Sequence, residues 1–122
     1  MLTAHIELIL LITGLATASG IALLLAPVAV LKMQFGQAPS DALSLFIARH
    51  WGLLVGLIGA LLVYAAYHDE IRRPTMIVAV VEKMAFVIGI FLTPFRRRPA
   101  VLVMALADAG MATVYTLYLA GM

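Results

Sequence analysis

Long apolar runs separated by short polar links are the feature that most constrains how this chain can fold. Apolar residues make up 65% of the 122 residues and charged residues only 11%, and the mean hydropathy is +1.12. A soluble domain of this length does not carry so much apolar surface, whereas a transmembrane helix needs about 20 mostly apolar residues. The sequence therefore predicts an integral membrane protein of the all-α class.

Proline, glycine and charged residues divide the chain into four apolar segments. We predict helices near residues 4–30, 41–67, 75–94 and 99–120. Ser40 is expected to be the N-cap of the second helix, with Asp41 in its first turn. Pro74 and Pro99 are each expected to open a helix, because an N–H would be unpaired at that position. Short links make consecutive helices antiparallel neighbours, so residues 1–122 are predicted to form a single up-and-down four-helix bundle.

Basic residues in the links predict the orientation of this bundle in the membrane. Lys32 and the three arginines at 96–98 fall on one side, and Arg72 and Arg73 fall on the other. Cytoplasmic loops carry the excess of Lys and Arg. We therefore expect both termini on the non-cytoplasmic side of the membrane.

Small residues recur at helical spacing in three of the segments. The set comprises Gly14 and Ala18, then Gly52, Gly56 and Gly59, and finally Ala105 and Ala109. In lipid, close backbone approach takes the place of the hydrophobic drive that packs soluble bundles. These positions are predicted to be helix contacts, and the same stripes leave open a homodimer or a partner membrane protein.

Six ionisable side chains fall within the predicted membrane segments. They are Glu7, Arg49, His50, Glu82, Lys83 and Asp108. Arg49 and Asp108 lie at a similar depth, roughly 12 to 14 Å from the same side at 1.5 Å per residue, so a pair between them is expected. A Glu7–Lys83 pair is expected by the same reasoning. Glu82 points about 100° away from Lys83 around the helix, so these adjacent residues should contact different neighbours.

The balance of these interior charges leaves two interpretations open. Three carboxylates face two fixed cations, so one negative charge requires a proton, a protonated His50 or a bound cation, because an uncompensated buried ion costs several kcal/mol. The charges could be inter-helix ion pairs that fix the bundle, or a functional site. We predict a polar centre in which Arg49, Glu82 and Asp108 face the interior, with Lys83 displaced toward Glu7.

Cofactors and partners are only loosely constrained. The chain has no cysteine, which removes thiolate metal sites, disulfides and a cysteine nucleophile. His5 and His68 fall on one membrane face but lack a recognisable third ligand, so no metal site is predicted. His50 could ligate haem in principle. The cofactor is left open, the lipid bilayer is the expected partner, and no nucleic-acid partner is expected.

Residues 47–67, IARHWGLLVGLIGALLVYAAY, together with RRP and VVEKMAF downstream, resemble small bacterial four-helix membrane proteins of the DoxX-like type. The similarity lies in four short helices and in an arginine followed by spaced glycines in the second. This resemblance implies a compact bundle in the bacterial plasma membrane.

Three functions follow from these features, in decreasing order of support. The first is a noncatalytic bundle whose polar centre binds a small or lipophilic molecule or a partner membrane protein. The second is a proton- or cation-coupled transporter of a small solute, for which the surplus carboxylate and the seven methionines are the support. The third is an intramembrane enzyme that uses Glu82 or His50 as acid or base, although no catalytic motif accompanies them.

Overall fold

The computed structural model describes residues 2–121, which are almost entirely helical and contain no strand. The helices are α1 Leu2–Ala18, α2 Ile21–Leu25, α3 Pro27–Phe35, α4 Ala42–Tyr67, α5 Asp69–Phe91 and α6 Pro99–Leu119, with a 3₁₀ turn at Pro94–Arg97 before α6. The predicted all-α class is confirmed for the described residues. Four stretches are long and apolar enough to cross a membrane: Ala4–Leu25, Ala42–Tyr67, Asp69–Phe91 and Pro99–Leu119.

The first segment is not the single helix predicted for residues 4–30. Helix α1 ends at Ala18, and α2 is separated from α3 by Ala26, whose backbone lies at φ −143° and ψ 67°. Proline at position 27 disfavours the helical region for the residue before it, because its ring clashes with that residue's backbone. Pro27 therefore breaks the segment and opens α3.

Helix α4 begins with a cap one residue later than predicted. Its N-cap is Asp41 and not Ser40, and the carboxylate oxygen Oδ2 of Asp41 accepts a hydrogen bond of 2.8 Å from the backbone N–H of Ser44. The aspartate satisfies an amide that the first turn leaves unpaired.

Helix α5 begins six residues before the predicted start, so Pro74 lies inside it and does not open it. Asp69 and Glu70 occupy the first turn, where negative charge is favourable. Arg72 donates to the carbonyl oxygens of Ala65 and Ala66 at the end of α4, each at 3.0 Å, and its guanidinium lies 2.7 Å from the Asp69 carboxylate. These contacts join α4 to α5 directly and convert an expected loop into helix.

The link after α5 agrees more closely with the sequence prediction. Helix α5 ends at Phe91, three residues earlier than predicted, and Pro94 opens the 3₁₀ turn. Pro99 is the first residue of α6, as predicted, and Arg98 is its N-cap. The fixed φ of proline suits this position.

Glycines hold α1 and α2 against α4 at very short range. A Cβ on Gly59 would lie 2.1 Å from the backbone nitrogen of Ala18, and one on Gly52 would lie 2.7 Å from that of Leu24. A Cβ on Gly14 would in turn meet Val63 at 2.8 Å. The predicted small-residue contacts are confirmed between these helices, because a larger side chain at Gly59 would push the two backbones apart.

Apolar side chains cover the outside of the helices as well as the core. The buried core includes Leu10, Leu62, Met76 and Tyr115. Many large apolar side chains also point outward, and Leu25 is 76% exposed. Such a surface suits contact with acyl chains better than contact with water.

Candidate functional site

Lys83 lies at the centre of the polar interior. Only 1% of this residue is exposed. Its ammonium nitrogen Nζ donates to the hydroxyl of Thr17 at 2.8 Å and lies 3.4 Å from the Oδ1 oxygen of Asp108. One cation from α5 thus connects α1 with α6.

Hydroxyl groups extend this polar centre along α1. The hydroxyl of Thr17, besides accepting from Lys83, donates to the carbonyl oxygen of Thr13 at 2.8 Å. The hydroxyl of Thr13 is in turn hydrogen-bonded to the hydroxyl of Tyr115 in α6. Residues four apart lie on the same helix face, so Thr13 and Thr17 present one polar row toward α5 and α6.

Glu82 lies beside this centre with unused hydrogen-bonding capacity. Its carboxylate oxygen Oε1 is buried and has no hydrogen-bond partner among the described residues. A buried acceptor without a partner carries a desolvation cost of about 1–3 kcal/mol. With Lys83 and Asp108, it makes an interior group of one ammonium and two carboxylates.

A cavity of about 450 Å³ opens onto all three charged side chains; we call it the central cavity. Its polar lining includes Thr17, Glu82, Lys83 and Asp108, while its apolar lining includes Leu23, Val55, Trp51, Phe86, Met104 and Met111. The cavity is therefore mostly apolar with a few polar groups on one part of its wall, which is the usual composition of a small-molecule site.

A second cavity, of about 510 Å³, also opens onto Glu82; we call it the aromatic cavity. It is lined by Glu82 and by four aromatic residues, Phe35, Trp51, Phe86 and Phe95. The rings of Trp51 and Phe86 stack with centroids 5.9 Å apart. Glu82, Trp51 and Phe86 line both cavities and so form the wall that the two share.

Arg49 and His50 do not join the polar centre, and the predicted Arg49–Asp108 pair is wrong. Both residues are exposed, and the ring of His50 stacks on Phe46 with centroids 6.3 Å apart. The buried face of α4 is set by Ala48 and Gly52. Because each residue turns the helix by about 100°, Arg49 and His50 point away from that face.

The predicted Glu7–Lys83 pair is wrong for the same reason. Ile6 and Leu10 form the buried face of α1 near this position, and Glu7 is exposed. Lys83 is not displaced toward Glu7 but lies at the centre of the polar interior. Of the predicted site residues, the structure brings together Glu82, Lys83 and Asp108.

Sequence reasoning missed the hydroxyl partners of this group. Thr13, Thr17 and Tyr115 were not selected, since threonine and tyrosine are ordinary in apolar helices. The spacing of Thr13 and Thr17 by four residues was the available signal, because it places two polar groups on one helix face.

Metal-binding side chains do not cluster in the part of the chain that the structure describes. Between residues 2 and 121 no group of three or more His, Asp or Glu side chains is arranged to hold a metal ion. His68 instead stacks on Tyr64, with ring centroids 3.8 Å apart, and its Nδ1 lies 3.0 Å from the Tyr64 carbonyl oxygen.

Comparison with protein-family models, with curated proteins and with solved structures found no match to this chain. The functional argument therefore rests on the geometry of the polar centre and its two cavities.

Proposed function

We propose that this chain is an integral membrane protein that binds a small amphipathic molecule in the central cavity. The observation that supports this most directly is the cavity itself, about 450 Å³ in volume, with apolar walls and one charged region. Binding sites for small molecules commonly have volumes of about 300–1,000 Å³ and a few convergent polar groups. A ligand with one polar end and one apolar body matches that lining.

The single tryptophan of the chain gives a direct test, because Trp51 lines the central cavity. Bromooctanol, with bromine at the end of its tail, quenches tryptophan fluorescence on contact. Titration into the protein in detergent micelles should give saturable quenching of Trp51 above the linear background from micelle partitioning. A purely linear response would contradict binding in the cavity.

A matched pair of variants separates the cavity from the lipid-facing surface. Met104 lines the central cavity, so Met104→Phe should fill part of it and weaken saturable quenching by about tenfold or more. Met84 is exposed and does not line the cavity, so Met84→Phe should behave like the parent. Equal quenching in the two variants would place the bromooctanol outside the cavity.

We also propose that the four long apolar helices cross the membrane up and down, with both termini on the non-cytoplasmic side. Lys32 and the arginines after α5 support this orientation, since Lys and Arg concentrate in cytoplasmic loops. From the resemblance of residues 47–67 to DoxX-like proteins, we further propose that the bundle lies in the bacterial plasma membrane.

The absence of cysteine makes this topology simple to test. Single cysteines are introduced as Gln37→Cys, before α4, and as Glu70→Cys, at the start of α5. In intact cells a membrane-impermeant maleimide should label the cysteine at position 70 but not the one at position 37. Labelling in the reverse pattern would invert the topology, and labelling of both would argue against it.

Proton- or cation-coupled transport is the second candidate, and the interior charge balance favours it. Glu82 and Asp108 provide two carboxylates against the single ammonium of Lys83 in this group, so a proton or a cation must balance the remaining charge. Folded protein in liposomes with a pH gradient should then show proton flux that Glu82→Gln abolishes. Flux equal to that of empty liposomes would exclude the proton-coupled form of this function.

A further inference from the structure

We propose that the ligand is an amphipathic amine whose protonated nitrogen lies between the Glu82 carboxylate and the rings of Trp51 and Phe86. This inference rests on the proposed function and specifies the chemical class of the molecule that the site binds. It is carried by three independent features of the wall between the two cavities: an unused acceptor, a charge surplus and an aromatic pair.

The unused hydrogen-bonding capacity at this wall is that of an acceptor. The Lys83 ammonium already has two partners, Thr17 and Asp108. The Oε1 oxygen of Glu82 is buried and has no partner in the described part of the chain. An ionised carboxylate can only accept hydrogen bonds, so the complementary ligand group is a donor.

With Glu82 ionised, the charge of the interior group favours a cationic donor over a neutral one. Lys83 lies close enough to Asp108 to pair with it, at 3.4 Å, and within residues 2–121 no cation forms an ion pair with Glu82. Moving an unpaired charge out of water costs several kcal/mol. A ligand ammonium beside Glu82 would remove that cost, whereas an alcohol would not and a carboxylate would increase it.

The aromatic residues favour the same kind of ligand. Trp51 and Phe86 stack on each other and line both cavities together with Glu82. Cations are attracted to the faces of aromatic rings, most strongly to tryptophan. An ammonium near Glu82 would therefore have a carboxylate and two aromatic side chains within the same wall.

The two cavities that share this wall leave room for the apolar part of the amine. The central cavity presents Leu23, Met104 and Met111, and the aromatic cavity presents Phe35 and Ile90. An alkyl or aryl tail would bury apolar surface against either set, at about 25 cal/mol per Å². The charge would fix the position of the ligand and the tail would supply affinity.

Three probes of the same length test the charge preference directly. Bromooctylamine, bromooctanol and bromooctanoate carry the same brominated tail and differ in charge at neutral pH. Saturable quenching of Trp51 should require about tenfold less amine than alcohol, which corresponds to about 1.4 kcal/mol, and octanoate should bind most weakly. Amine and alcohol binding equally, or octanoate binding best, would overturn the inference while leaving the proposed binding function intact. Absence of saturable quenching by all three would contradict both.

Substitution of Glu82 and of Phe86 then tests whether these residues cause the preference for the amine over the alcohol. Glu82→Gln should bring the ratio of amine to alcohol affinity close to one, while Glu7→Gln, at an exposed carboxylate outside the cavity, should leave the ratio at the parent value. Phe86→Leu retains Trp51 as reporter and should lower the ratio by about threefold. A ratio unchanged in both Glu82→Gln and Phe86→Leu would refute the assigned position of the nitrogen. If Glu82→Gln does not fold, the Phe86→Leu ratio and the charge series in the parent decide the question.

Discussion

Replacement of Lys83 by methionine should destabilise the bundle. The side chain keeps most of its length but loses the ammonium that contacts Thr17 and Asp108. Two unit charges 3.4 Å apart attract by about 5 kcal/mol at an effective dielectric constant of about 20. Breaking a buried pair by removing one partner typically costs about 3–5 kcal/mol.

The lower end of that range is the expected value for this pair. The Asp108 side chain is 23% exposed, whereas the Lys83 side chain is only 2% exposed, so the carboxylate left behind is only partly desolvated. We therefore expect Lys83→Met to lower the free energy of unfolding by about 3 kcal/mol.

A double variant distinguishes the ion pair from a simple loss of packing. Asp108→Leu in the Lys83→Met background removes the stranded carboxylate and should recover part of the lost stability, because apolar replacement of a whole buried pair is often neutral. The two substitutions should therefore be coupled by about 1–3 kcal/mol. Strictly additive effects would show that the pair itself contributes nothing.

Unfolding in mixed micelles with rising sodium dodecyl sulfate content, followed by far-ultraviolet circular dichroism, provides the measurement. Arg49→Met is the matched control, since it removes an exposed cation and should change stability by no more than about 0.5 kcal/mol. The reasoning is refuted if Lys83→Met is as stable as Arg49→Met, or if Arg49→Met is the more damaging change.

Two further predictions concern the scaffold around the site. Gly59→Ala would place a Cβ in steric conflict with the Ala18 backbone, which should cost about 3 kcal/mol of overpacking and gain about 1 kcal/mol of helix propensity. The same unfolding assay should therefore show a net loss of stability of about 2 kcal/mol. Gly110→Ala is the control, because no atom lies within 4 Å of its added Cβ; equal losses of stability in the two variants would contradict the contact at Gly59. At the cap of α4, hydrogen bonds from the Ser44 side chain and backbone hold the pKa of the Asp41 carboxyl below its usual range. The stability that the ionised cap contributes is therefore fully present above the unfolded pKa of about 3.9. This contribution is lost as the pH falls through the lower pKa of the folded state. The stability advantage of the parent over Asp41→Ala should therefore shrink in acid, while that of Asp41→Asn over Asp41→Ala should not; a parallel pH dependence of the two would exclude this cap.

The features that were predicted correctly depend on local sequence. Apolar length fixes which stretches can cross a membrane, and the fixed φ of Pro99 places the start of α6. The spacing of Gly52 and Gly59 likewise marks a close helix contact without knowledge of the partner. These signals need no information about which helices are neighbours.

The start of α5 could not be read in this way, because a tertiary contact decides it. Pro74 normally opens or breaks a helix, yet here helix precedes it from Asp69. The guanidinium of Arg72 binds the carbonyl oxygens of Ala65 and Ala66 at the end of α4. That arrangement depends on how two helices meet, and the one local signal, the acidic pair Asp69 and Glu70 in the first turn, competes with the stronger signal of Pro74.

The ion pairs within the site could not be predicted from the sequence. The depth of a residue in the membrane follows from its position along the helix, but the direction of its side chain around the helix does not. Arg49 and Asp108 were correctly treated as helical residues several turns into their segments, and the rise per residue makes their depths similar. Which way Arg49 points depends on the face of α4 that packs, and that face is set by Ala48 and the glycines that meet α1 and α2.

The surplus negative charge nevertheless agrees between sequence and structure, although both predicted pairs were wrong. Glu7 and Arg49 are both exposed, and because their charges are opposite, removing them together from the interior leaves the difference unchanged. The remaining group of Glu82, Lys83 and Asp108 still carries one more carboxylate than ammonium. The predicted sum of charges stayed correct because the errors for Glu7 and Arg49 cancel, whereas each predicted ion pair needed both of its residues to be placed correctly. Glu82, whose Oε1 oxygen has no hydrogen-bond partner among the described residues, is the carboxylate of this group that a cationic ligand can reach, and the three bromooctyl probes test which kind of ligand balances the surplus.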